Sequence, residues 1–208
     1  MIPRLLLCIS LALSAFGQKK ALVGGTLIDG YGGRPIPNSV ILIDGEKIQA
    51  VGQVGTLPVP PDAQVISTEG LPPAIISDIR ESLRHIDQID YFRMVPPRKP
   101  TLKRKFQQLR ESGAVLLIGT DSGVPTQFHT QTTWNEIDVW VRVMGVDAMD
   151  AIRAATFWPA VAMKIEREVG TVTPGKYADI IAVRGDVLRH VDLLQNVDIV
   201  MKHGVRYK

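Results

Sequence analysis

Strand-forming runs cluster at the two ends of this chain, and a long middle of mostly helical period separates them. Near the amino end, Ala21–Asp29, Ser39–Asp44 and Lys47–Val51 alternate or run apolar between turn signals. Gly24-Gly25, Gly30, Gly32-Gly33 and Asp44-Gly45 supply those turns, and Asp-Gly between two apolar runs marks a hairpin. Leu57–Asp62 is proline-rich and reads as a loop before a strand at Gln64–Thr68. At the carboxyl end, Val169–Thr173, a turn at Thr173-Pro174-Gly175, the buried run Ala178–Val183 and a last hairpin around His203-Gly204 follow. Two small sets of short strands are unstable alone, and packing one on the other is the simplest way to cover both. The order therefore predicts a discontinuous β-domain, residues 18–70 and 169–208, interrupted by an α/β insertion over 71–168.

The insertion carries helical spacing at Ile79, Leu83 and Ile86 and again at Leu102, Phe106 and Leu109. Pro96-Pro97-Arg98-Lys99-Pro100 predicts an extended connector between those helices. Residues 93–110 hold seven basic side chains and no acid, a pattern more often a solvated face than an anion-binding patch. Gly113 ends the second helix, and Ala114–Ile118 reads as a short buried parallel strand. Two more helices are expected at Trp134–Met144 and Ala148–Thr156, broken at Gly145.

The first seventeen residues read as an export signal. A positive start, Met1-Ile-Pro-Arg4, precedes an apolar run from Leu5 to Ala15, and Ala15-Phe16-Gly17 offers small residues for cleavage before Gln18. The run is too short for a membrane span, so the protein is expected to be periplasmic or secreted with no span after processing. Cys8, the only cysteine, lies in this segment, which rules out a disulfide framework and any cysteine-based zinc site in the processed chain. A net charge of +3 does not argue for a nucleic-acid partner.

The chemistry centres on Gly119-Thr120-Asp121-Ser122-Gly123. Asp121 follows the apolar run directly, where parallel α/β sheets place working groups, and the flanking glycines let the backbone turn and a substrate approach. A loop aspartate capping the next helix explains the same spacing. His129 and Glu136 lie seven apart in a polar stretch, and each reads equally well as a site group or as a surface or capping group. Asp121-Ser122-Gly123 also has the form of an aspartic protease triplet. Only one such triplet occurs, so two chains would have to pair their aspartates.

Val23-Gly-Gly-Thr-Leu-Ile-Asp-Gly30 followed by Val40-Ile-Leu-Ile-Asp-Gly-Glu-Lys-Ile-Gln-Ala-Val-Gly52 resembles the start of the metal-dependent amidohydrolase superfamily, nearest its imidazolonepropionase-like and prolidase-like exported branch. The carboxyl half is similar over an unbroken stretch: Gly119–Pro125, His129, Glu136, Asp150-Ala-Ile-Arg-Ala-Ala-Thr156, Glu168–Ile180 and Lys202-His-Gly204. The resemblance implies an α/β fold: a composite β-sandwich built from both chain ends beside a (β/α)₈ barrel. It implies that Asp121 closes the eighth strand, binds a divalent metal, zinc above all, and takes a proton from the attacking water. His129 and Glu136 would contact substrate or support the ligands. The implied reaction is hydrolysis of C–N bonds in small amides or dipeptides.

The sequence departs from that pattern in two places. Leu71-Pro-Pro-Ala-Ile-Ile-Ser-Asp-Ile-Arg80 stands where the family has its His-x-His pair, so Asp78 and Arg80 occupy the histidine positions. Aspartate can ligate a metal; arginine cannot. A (β/α)₈ barrel takes about 250 residues, whereas positions 71–168 hold 98. The expectation is an incomplete barrel remnant with impaired metal binding, or a non-catalytic remnant or binding module, with the β-domain as its best-formed part. Open strand edges in such a remnant would need cover, and a homo-oligomer could supply it.

Overall fold

The computed structural model describes residues 18–69, 95–122 and 132–208. The expected signal peptide, the helix through Ile79 and Ile86, Asp78 and His129 lie outside these residues. The described part is a mixed α/β structure with two sheets.

The first sheet has the order β3-β2-β1-β4, built from β1 (Lys20–Val23), β2 (Ser39–Asp44), β3 (Lys47–Gln53) and β4 (Gln64–Ser67). β2 pairs antiparallel with both β1 and β3, while β1 and β4 run parallel. The Asp44-Gly45 signal is the β2–β3 hairpin turn: Asp44 pairs with Lys47, and Gly45 takes φ +56°. β2 is central and its residues alternate between two covers. Ile41 and Ile43 enter one apolar cluster, whereas Val40 and Leu42 meet Leu57, Val59 and Ala63 of the proline-rich loop on the other face. This explains a continuous apolar run in an antiparallel strand.

The second sheet, β5-β6-β7, comprises β5 (Ile180–Val183), β6 (Val197–Lys202) and β7 (Val205–Arg206), all antiparallel. Its Ile180, Ile199 and Met201 share one cluster with Leu22, Ile41, Ile43, Ile48 and Ile66 of the first sheet. Main-chain bonds tie the two: Ile48 N donates to Lys176 O at 3.0 Å, Gly175 N to Ile48 O at 2.9 Å and Ala178 N to Glu46 O at 2.8 Å. The two hairpin turns meet, and a side chain at Gly204, with φ +71°, would strike the Gly45 carbonyl. Asp179 closes the junction by accepting from His203 N at 2.7 Å and Lys202 Nζ at 2.8 Å.

Between the sheets in sequence lie α1 (Val95–Glu111), α2 (Thr132–Arg142), α3 (Ala148–Ala155) and α4 (Phe157–Ala162). Asp147 caps α3, its carboxylate accepting from Met149 N at 2.9 Å. A second apolar cluster joins Ile137, Val146, Ala148 and Ala151, with Phe106 of α1 edge-on to Trp140 at 4.9 Å. Val191, at the start of a short 3-10 turn over Val191–Gln195, belongs to this cluster, so part of the carboxyl segment packs on helices and not on the sheets. Arg142 fastens it, bridging Asp138 at 2.7 Å and Asp192 at 2.9 Å.

Three expectations are corrected. Pro96–Pro100 is not an extended connector but part of α1, with Pro100 inside the helix. Pro96 and Pro97 fall in the first turn, where the N–H groups have no helical partner to lose, and only Pro100 removes a bond. Val169–Thr173 is a loop, held by Val172 N donating to Asp29 O at 2.9 Å. Ala114–Ile118 forms no strand, and Val115 and Leu117 are exposed. Among the described residues, its N–H groups donate from Ala114 to Leu109 O and from Ile118 to Ala154 O. A strand is defined by its neighbours, and no described strand lies beside this one.

Candidate functional site

Asp121 sits on the loop that leaves Ala114–Ile118, and the structure holds that loop from two helices. Ile118 N donates to Ala154 O of α3 at 3.0 Å. Gly119 N donates to Glu136 Oε1 of α2 at 3.2 Å. The Thr120 and Ser122 hydroxyls lie 2.7 Å apart and share a hydrogen bond. Asp121 between them takes φ +49°, a left-handed conformation that aspartate tolerates better than most residues. Its side chain is exposed.

Of the four candidates, Asp121 and Glu136 are thus brought to one loop, Glu136 as a clamp on its backbone. His129 and Asp78 are not placed, since both lie outside the described residues. The spacing of His129 and Glu136 singled out the glutamate without revealing its target, because a Glu–backbone contact over seventeen positions leaves no periodic trace. The Thr120–Ser122 bond is local, and the hydroxyl at every second position was its available signal.

Among the described residues, no three His, Cys, Asp or Glu side chains come together as a metal-holding group. A catalytic zinc takes about three protein ligands and a water, so the described donor set, Asp121 with Glu136 spent on Gly119 N, does not fit one by itself. A cavity of about 250 Å³ opens behind the Ala114–Ile118 segment, between Arg110, Leu116, Trp140, Asp150, Arg153 and Trp158. Neither Asp121 nor Glu136 lines it. No helix of the described residues is long and apolar enough to cross a membrane.

A model of the amidohydrolase family matches residues 98–206, more than half of the chain. An adenine deaminase of Rubrobacter xylanophilus is 30% identical over 87 residues, which are 42% of this chain and 14% of that protein. A solved Xaa-Pro dipeptidase with methionine in its active site is 38% identical, covering 52% of this chain and 26% of that one, with a TM-score of 0.48. A molinate hydrolase structure matches at a TM-score of 0.61 and 14% identity, over 93% of this chain and 95% of that one. The chain spans about a quarter or less of the deaminase and of the dipeptidase.

Proposed function

The chain belongs to the amidohydrolase family, and from that premise we propose that its chemistry is hydrolysis of a C–N bond in a small amide or dipeptide, carried out weakly. Asp121 is the acid–base carboxylate of this reading, accepting a proton from the attacking water. The observation that carries it is the double clamp on the Gly119–Ser122 loop. α3 and α2 grip the backbone at Ile118 and Gly119, just before Asp121, while the Asp121 side chain stays exposed. A loop held at its backbone presents one carboxylate in one place, which is what a proton acceptor requires.

The family's chemistry rests on a divalent metal, zinc by resemblance. The described donors do not complete a zinc site, and Arg80 in place of a ligating histidine supports the reading of impaired turnover. Asp78, His129 and Glu136 are proposed as the supporting set, Asp78 as a second ligand and the other two beside substrate. The same reading treats residues 18–70 and 169–208 as one composite β-sandwich supporting a barrel remnant over 71–168, in a protein exported by its first seventeen residues. The core shared by the two sheets supports the first of these.

The test is metal analysis of the purified chain after zinc loading and dialysis, with turnover measured on a panel of dipeptides. Substoichiometric zinc and slow hydrolysis abolished by Asp121→Asn are expected. Hydrolysis indifferent to Asp121→Asn removes Asp121 from the site. One zinc per chain with a kcat near the typical enzyme value of about 10 s⁻¹ overturns the impairment.

A further inference from the structure

We propose that the cavity between α1, α2, α3 and α4 is a binding site for a small aromatic carboxylate, its anion taken by the Arg110 and Arg153 guanidiniums and its ring by Trp140 and Trp158. Each helix contributes to the lining: Arg110 from α1, Trp140 from α2, Asp150 and Arg153 from α3, and Trp158 from α4. Two guanidiniums against one carboxylate leave a positive charge in excess among the lining residues. Asp150 Oδ2 lies 3.8 Å from Arg110 Nη2, and its Oδ1 lies 3.7 Å from Arg153 Nη1. Both are ion-pair distances beyond hydrogen-bond reach. Asp150 is also half exposed, so solvent weakens them further. The forked donors of the two guanidiniums therefore suit a second carboxylate, which arginine takes bidentately.

Packing holds these groups in place before a ligand arrives. Arg153 is the less exposed cation, with 24% of its side chain accessible against 41% for Arg110. Its Nε is buried without a hydrogen-bond acceptor among the described residues. Its Cζ stands 5.2 Å from the centre of the Trp158 ring and 5.7 Å from that of Phe157, within cation–π range. Gly32, with φ +87°, lets the loop before β2 lie against the same side chain, where a Cβ would stand 3.1 Å from Cδ. Trp140 is braced by Phe106, edge-on at 4.9 Å. Groups ordered in advance lose less freedom on binding. Leu116, Val146 and Ala154 add apolar wall, which favours a ring over a second charge. At about 250 Å³ the space falls below the ~300–1,000 Å³ of drug-sized ligands and suits a single-ring acid. Neither Asp121 nor Glu136 lines it, so the site is separate from the hydrolytic one.

The experiment titrates the full chain with phenylacetate and, separately, with uncharged phenylacetamide by isothermal titration calorimetry at low ionic strength. One phenylacetate per chain is expected to bind with a Kd of about 1 mM or tighter, and phenylacetamide about tenfold more weakly. Arg110→Gln and Arg153→Gln, each checked for an unchanged circular dichroism spectrum, are expected to weaken phenylacetate about tenfold. Asp150→Asn is expected to tighten it, because the variant removes the carboxylate that competes for both guanidiniums; loss of a merely structural side chain would not do so. Asp121→Asn is expected to leave binding unchanged. Absence of saturable binding, equal affinity for the amide, indifference to both arginine variants or weaker binding by Asp150→Asn overturns the site. Loss of binding in Asp121→Asn also overturns it, placing the ligand at the Gly119–Ser122 loop.

Discussion

At the scale of single residues, the described side chains are decided by what they pair with. Asp179 shows the balance. Burial is the largest influence and pushes its carboxyl up, but the His203 N–H and the Lys202 ammonium together hold it below the ordinary carboxylate range. The unfolded chain therefore binds its proton more readily, so Asp179 contributes stability above the unfolded value near 3.9, and that contribution fades as pH falls through the lower folded value. With the side chain 28% exposed, Asp179→Asn is expected to cost about 1 kcal/mol at pH 7. The variant should also lose less stability than the parent on acidification below about pH 4, as read by urea unfolding at several pH values.

Asp121 stood out as a candidate in the sequence because its type, its glycines and the apolar run before it stand within ten positions. Glu136 was legible as a candidate, but not as a clamp. The approach of Lys176 to the Tyr31 ring was not legible, because the two residues are 145 positions apart.

At the scale of elements, local chemistry predicted well wherever a run made its own bonds or had a partner nearby. Ser39–Asp44 matches β2 to the residue, and the Asp44-Gly45 turn lies where expected, because a hairpin is settled by its own turn and alternation. The Ala148 helix also starts where Asp147 can cap it. Ala114–Ile118 failed for the opposite reason, since its β-propensity is high and no described strand lies beside it. Exposed apolar side chains such as Val115 and Leu117 favour association between chains. Val115, 58% exposed, is expected to accept lysine with a change in stability within about 0.5 kcal/mol. Val115→Lys should lower aggregation on heating, measured by light scattering; unchanged scattering would show that this segment is not the sticky one.

At the scale of the whole molecule, one apolar cluster takes residues from both chain ends, and cooperative unfolding of the two sheets is the expected consequence. Ile43 is 1% exposed and Ile199 2% exposed, one from each sheet and both in the same cluster. Truncating either to alanine is expected to cost about 2–5 kcal/mol, with the neighbours relaxing only in part. The informative readout is hydrogen exchange: protection should fall in both sheets for either variant. A loss confined to the mutated sheet would mean that the sheets are independent.

The sequence by itself determined the β2–β3 hairpin, the capped helix after Asp147, the aspartate loop and the family resemblance, because each rests on residues within a few positions of one another. Tertiary structure decided which runs became strands, that the two sheets share a core, that Glu136 grips the Gly119 backbone, and that Lys176 is buried beside Tyr31. Those depend on contacts between distant segments. Hydrogen-bond partners and burial across such distances are set by packing, and composition and period carry no record of them.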